Sequence, residues 1–208
     1  MARIKNDPSG AISGMVGPVV YYYVNGKQYA RAAIKERSKE SWSPEQVQYR
    51  QKVSNAGAFW RQLDKNPVRM TWKLAAEGMS GYNLFLKTNL PAFVGDGSQM
   101  DLERVHLSVG TLPLPLQLKA VAVEGDPTKW NISWKDDSGI GLSQASDTLL
   151  VVFAHDGSFS KPVETGIQRN RESAVVQVPA GTKKLEGMYL SFVSADQQLY
   201  SVDQFVGI

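Results

Sequence analysis

With 208 residues, 42% apolar and 21% charged, the chain has the composition of an ordinary folded protein and enough length for a real core, as one large domain or two small ones. It has no cysteine, which excludes a disulfide scaffold, a thiol nucleophile and thiolate zinc sites. The net charge of +3 conceals a division: residues 1–90 carry 14 Lys+Arg against 6 Asp+Glu, and residues 91–208 carry 9 against 14, as expected of two units with different partners or of chains that meet head to tail.

No apolar run reaches the roughly 18 residues of a membrane-spanning helix. The opening "MARIKNDPSGAISGMVGPVV" has an early Arg3 and Lys5, but Asp7, Pro8 and glycines 10, 14 and 17 interrupt the apolar segment that a signal peptide requires. It reads as mature sequence, with the protein cytoplasmic at synthesis. Residues 10–18 read as an irregular lead-in. Asn25-Gly26 then marks a hairpin, because a type I′ turn needs positive φ at both central residues, and its strands are expected over about 18–24 and 27–34. Alternation places Val20, Tyr22 and Val24 on one face and Val19, Tyr21 and Tyr23 on the other. Both sets are apolar, and two strands alone are marginal in water, so the following helices or another chain must cover the second face.

"SKESWSPEQ" ends in a helix start: Ser43 as N-cap, Pro44 at the first helical position and Gln46 three residues after the cap. The helix is predicted over about 44–64, with an apolar stripe of Tyr49, Val53, Ala56, Trp60 and Leu63. Asn66-Pro67 opens a second helix over about 67–77 that carries Val68, Trp72 and Ala75, and "SGYNLFLKTN" reads as a third, facing the core with Tyr82, Phe85 and Leu86. Residues 91–103 read as a linker. Beyond them the period changes to two, with strands predicted at 104–109, 117–123, 129–134, 147–154, 173–178, 187–194 and 199–206 and a weaker one near 162–166, at the spacing of an all-β sandwich. The fold expectation is therefore α+β. A β-hairpin and small helical unit occupy 1–90, and an immunoglobulin- or fibronectin-like antiparallel β-sandwich occupies 104–208 and folds without the first 90 residues.

The stretches "SGMVGPVVYYYVNGKQYAR", "SPEQVQYRQKVSNAGAFWRQL", "MTWKLAA" and "SGYNLFLKTNL" resemble a pattern in a family of uncharacterised proteins from Bacteroidetes, with related arrangements in phage and prophage genes. The resemblance covers the chain in outline, with its specific motifs in residues 13–90. It implies a glycine-led basic hairpin, helices and a β-sandwich tail, and a setting in a virion or its assembly. It carries no active-site residues.

No constellation for catalysis, a cofactor or a metal emerges. His106 and His155 have no second histidine or acidic neighbour at ligand spacing. "GDGSQMD" (95–101) and "DDSG" (136–139) do not complete a calcium loop, and Asp136 and Asp137, being adjacent, are expected to point apart. Glycines 10, 14 and 17 lack a Walker lysine, and Ser143 and Ser146 lack a nucleophile elbow. The chain reads as non-enzymatic.

Two sets of residues remain. The first is basic: Lys27, Arg31, Lys35 and Arg37, joined by Lys39, Arg3 and Lys5, are candidate contacts for a nucleic-acid backbone. The second is aromatic and apolar: Val19, Tyr21, Tyr23 and Tyr29 are candidates for an assembly interface with protein partners or with a second copy of the chain. The leading expectation is a structural or assembly protein, of a phage-like particle or of a surface assembly, that uses the N-terminal ribbon for subunit contacts. The alternatives are a nucleic-acid-binding ribbon and a carbohydrate-binding sandwich; the last would need exposed aromatics on the sandwich, whereas Trp130 and Trp134, on one strand face, read as core residues.

Overall fold

The computed structural model describes residues 5–6, 12–24, 26–34, 42–94 and 99–208. The chain is α+β and mostly sheet, and it forms two compact units, Met1–Pro44 and Glu45–Ile208.

The first unit is an antiparallel meander of β1 (Lys5–Asn6), β2 (Ile12–Val16), β3 (Val19–Val24) and β4 (Lys27–Ala32), ordered β1-β2-β3-β4. The predicted hairpin is β3–β4, with Gly26 at φ 75° in its turn; Asn25 lies outside the described residues. The lead-in expected to be irregular is in fact strand β2. Its glycines serve the sheet instead of breaking it: Gly17, at φ 57°, takes the first place of a two-residue turn whose second place suits the fixed negative φ of Pro18, so Val16 returns directly opposite Val19.

The second unit begins with α1 (Pro44–Gln62), α2 (Val68–Ala75) and α3 (Gly81–Asn89). Ser80 caps α3 by accepting a hydrogen bond from the Asn83 N–H at 3.2 Å. A Cβ at Gly81 would stand 2.9 Å from the backbone of Trp72 and Lys73, so only glycine lets α3 seat this closely on α2. A 3₁₀ turn (Leu90–Ala92) follows. The expected linker holds a small ladder of β5 (Phe93–Val94) with β6 (Gln99–Met100).

Two antiparallel sheets complete the unit. One pairs β7 (Leu116–Val123), β8 (Asp126–Lys135) and β12 (Ser173–Gln177) in the order β12-β8-β7. The other contains β9 (Thr148–His155), β10 (Ser158–Phe159), β11 (Val163–Gln168), β13 (Leu185–Val193) and β14 (Gln204–Gly207), ordered β10-β9-β13-β14 with β11 also on β9. Between the sheets, Leu149, Val151 and Phe153 of β9 and Met188, Leu190 and Phe192 of β13 meet Leu118, Ile132, Trp134, Ala174 and Val176. This is the alternating inward pattern of a sandwich.

The intervening residues of the same strands are buried as well. Val152, Ala154 and Tyr189 share a core with Ala56, Phe59 and Leu63 of the first helical segment, Val68 and Trp72 of α2, and Phe85 of α3. The helices therefore form a layer on the outer face of the β9–β13 sheet and belong to the same compact unit as the sandwich. Their apolar stripe also differs from the expected one: Phe59 is inside, Trp60 is half-buried, and Tyr49 is exposed.

The strand expected at 104–109 does not form. Its backbone groups are taken by side chains: Asn89 brackets His106 with hydrogen bonds to its N–H and C=O, Asp203 accepts from the N–H groups of Leu107 and Ser108, and the Trp72 indole donates to the Leu107 carbonyl at 3.1 Å. With those groups satisfied, a neighbouring strand has nothing to pair with. The last expected strand, 199–206, is reduced for a related reason to isolated bridges at Tyr200 and Ser201 followed by β14.

Candidate interaction surface on the N-terminal sheet

The strand register sorts the first unit into two unlike faces. Tyr21 pairs with Gly14 and Ala30, Val19 with Val16 and Ala32, and Tyr23 with Gln28. Directly paired residues share a face, so Ile12, Val16, Val19, Tyr21, Tyr23, Ala30 and Ala32 make a neutral, apolar surface. Gln28, on the same face, reaches across to donate to the Ile12 carbonyl at 3.3 Å. On the opposite face Met15 pairs with Val20, Val20 with Arg31, Tyr22 with Tyr29 and Val24 with Lys27. There Tyr22 and Tyr29 stack at 5.5 Å, and the Arg31 guanidinium lies 6.0 Å above the Tyr22 ring.

None of residues 12–24 and 26–34 is buried. Ile12, Met15, Val16, Tyr22, Tyr23, Val24, Tyr29 and Ile34 are each between 38% and 73% exposed, on both faces of one small sheet. A sheet gains its stability from a covered apolar face, and among the described residues of its own unit this one has none.

The predicted assembly residues divide accordingly. Val19, Tyr21 and Tyr23 lie together on the neutral face, the first two half-buried and Tyr23 exposed, whereas Tyr29 lies on the other face against Tyr22. Of the predicted nucleic-acid contacts, Lys27 and Arg31 are exposed and co-facial with that tyrosine pair. Lys35 and Arg37, like Arg3 and Lys39, lie outside the described residues.

In the second unit, Trp130 and Trp134 both pack against the sandwich core. The Trp134 indole donates to the Arg169 carbonyl at 2.6 Å, so the pair offers no open platform for a sugar. Among the described residues no group of three His, Asp or Glu could hold a metal ion, and no helix is long and apolar enough to cross a membrane. Of the loops that resemble calcium sites, residues 95–98 lie outside the described residues. At the other, Asp136 turns back to the Ser138 N–H and hydroxyl while Asp137 points inward to Arg169, so the adjacent carboxylates do point apart.

Two polar constellations escaped sequence reading because their members are far apart in the chain. In the first, Arg169 is wholly buried: it donates to Asp137 at 2.6 Å and to the Pro113 carbonyl at 2.8 Å, lies 3.2 Å from Asp147, and covers the Phe192 ring at 4.7 Å. In the second, His106, which lacks an acidic neighbour in sequence, meets buried Asp203 at 2.8 Å. The hydrogen bond to Asp203 raises the His106 pKa above its ordinary 6.5, against the opposing effect of burial and with help from the Asp203 charge. The protonated imidazole thus stabilises the fold. Its contribution is full below pH 6.5 and is lost as pH rises through the higher folded-state pKa. With the His106 side chain 38% exposed, solvent screening keeps this to about 1 kcal/mol or less. Thermal melts of the parent and of His106→Gln across pH 6–9 check this: the parent should lose more stability on going alkaline than the variant, and equal slopes would contradict it.

A search of curated proteins finds no match, and neither does a search of solved structures. A family model does match, over residues 11–207, which takes in β2–β4 of the N-terminal sheet, the helices and both sheets of the sandwich. The chain belongs to the Family of unknown function (DUF6266).

Proposed function

We propose that this protein is a non-enzymatic assembly component that docks another protein chain through its N-terminal sheet. The observation that carries the reading is the sheet without a core: a regular meander in which none of residues 12–24 and 26–34 is buried and whose two faces both present large apolar side chains. Surfaces of this kind on soluble proteins mark interfaces. The helices that follow have their apolar stripe taken up by the β9–β13 sheet. The resemblance to Bacteroidetes proteins and to phage and prophage genes adds the setting of a virion or prophage assembly to the proposal.

Charge steering is the weaker part of the contact. The division at Pro44/Glu45 puts 7 Lys+Arg and 3 Asp+Glu in the first unit and 16 and 17 in the second. The acidic character of residues 91–208 is offset by the basic helices within the same unit, so a head-to-tail attraction between unlike units is slight and the apolar face dominates. Tyr21→Ser combined with Tyr23→Ser should therefore shift the protein toward monomer in light scattering at a concentration where the parent is oligomeric, with the melting of the second unit unchanged. An unchanged mass would count against the reading.

A second reading has its own observation: Lys27 and Arg31 stand beside Tyr22 and Tyr29 on one face, as in a surface that tracks phosphates and stacks bases. Under it, Lys27→Ala with Arg31→Ala abolishes DNA binding while the tyrosine-to-serine pair leaves it intact.

A further inference from the structure

Among the described residues strand β4 ends the N-terminal sheet, and its six residues pair with β3 without a register shift. The other strands that end a sheet are shorter or irregular. β1 and β10 have two residues each, β14 has four and β12 five, while the pairing of β7 and of β11 is broken by bulges. Bulges and brevity are the usual protections against edge-to-edge pairing. β4 has neither, nor a proline; its one protection is charge, from Lys27 and Arg31.

The hairpin turn determines which of its groups are open. Val24 and Lys27 flank a two-residue turn and so form a hydrogen-bonded pair, and alternate residues repeat that bonding. Lys27, Tyr29 and Arg31 therefore bond inward to β3, and the series continues with the Ala33 N–H donating to the Pro18 carbonyl at 2.6 Å. The N–H and C=O groups of Gln28, Ala30 and Ala32 point outward from the sheet.

We propose that β4 pairs antiparallel with β4 of a second copy about a two-fold axis, with Ala30 facing the partner subunit's Ala30, so that two sheets become one. This rests on the reading of the sheet as a protein-docking arm. Charge and overlap together select the register, since centring on Gln28 or Ala32 would pair three residues of β4 or fewer. Centring the pair on Tyr29 sets Lys27 against the partner subunit's Arg31, and centring it on Arg31 sets that arginine against itself; like charges directly opposite destabilise a sheet. Centring it on Ala30 sets Arg31 against the partner subunit's Tyr29, a cation beside an aromatic ring, and Gln28 against the partner subunit's Ala32. A two-fold axis perpendicular to the sheet also keeps like faces together. The neutral surfaces of Val19, Tyr21 and Tyr23 from both copies then join into one larger apolar surface.

Because the chain has no cysteine, single cysteines test this without background. In the Ala30-centred register two copies of residue 30 have Cα atoms about 5.5 Å apart, within disulfide reach, while two copies of residue 28 are separated by about 13 Å, four residues of strand rise. Full-length Ala30→Cys should form a covalent dimer on mild oxidation and Gln28→Cys should not. Ala30→Pro, which removes only an outward N–H and leaves the β3–β4 ladder intact, should lower the solution mass of the parent toward monomer. If the parent is oligomeric but Ala30→Cys does not link, or Gln28→Cys links as well, the edge pairing is overturned and the docking arm stands. A parent that stays monomeric at high concentration overturns both.

Discussion

Replacing Arg169 with leucine should cost about 3–5 kcal/mol of stability in denaturant unfolding, the range for leaving a buried charge without its partner. The guanidinium is fully buried and holds Asp137, itself buried, at 2.6 Å and wholly buried Asp147 at 3.2 Å. It also ties in the Pro113 carbonyl, 56 residues away, and lies over Phe192. Leucine would fill part of the volume but strand two carboxylates in a region where water cannot solvate them. Lysine keeps the charge but cannot present the fork of donors that reaches Asp137, Asp147 and Pro113 together, so Arg169→Lys should recover only part of the loss. Arg104, whose bond to Asp101 is at the surface, is the control: Arg104→Ala should change stability by about 1 kcal/mol or less. An Arg169→Leu variant as stable as the control would show that the buried network does not hold the sandwich together.

The second large effect concerns where the chain can be cut. A fragment of residues 104–208 should fail to melt cooperatively, whereas residues 45–208 should melt as one unit. The reason is β9, which is buried on both faces: Leu149, Val151 and Phe153 face the sandwich, while Val152 and Ala154 face the helices. Removing the helices would expose Val152 and Tyr189, at about 1.5–3 kcal/mol for each large side chain, against a total domain stability of about 5–15 kcal/mol. It would also remove Trp72 and Asn89, which hold the backbone of residues 106–107. The contrary result is a cooperative transition from the shorter fragment, with the helices only an appendage.

The contrast with the sequence-based expectation shows what alternation alone can reveal. The hairpin, the start of the first helix at Pro44 and the strands near 129–134 and 147–154 were legible because each signal is local: an Asn-Gly turn, a proline at the first helical turn, an alternation of period two and a short apolar run that ends in a turn. The burial of "TLLVVFA" on both faces was also visible as an unbroken apolar run, but such a run does not say which layers cover it. β2 was hidden because Gly14 and Gly17 mimic a loop, although Gly17 makes the turn that creates the strand. The missing strand at 104–109 was illegible for the opposite reason. Its pattern is strand-like, and only the fold brings Asn89 and Asp203 to take its hydrogen bonds. Arg169, Asp137 and Asp147 carry no local mark of a network, since their partners become neighbours only when β8, β9 and β11 have been brought together. At the candidate interface, alternation correctly grouped Val19, Tyr21 and Tyr23, while the placing of Tyr29 needed the register set by the two-residue turn.

Sedimentation velocity of the full-length protein over a range of concentrations tests the docking arm most directly. The account predicts a mass that rises from monomer to dimer or larger, together with a fragment of residues 45–208 that stays monomeric throughout. A full-length chain that remains monomeric at the highest concentration would contradict it.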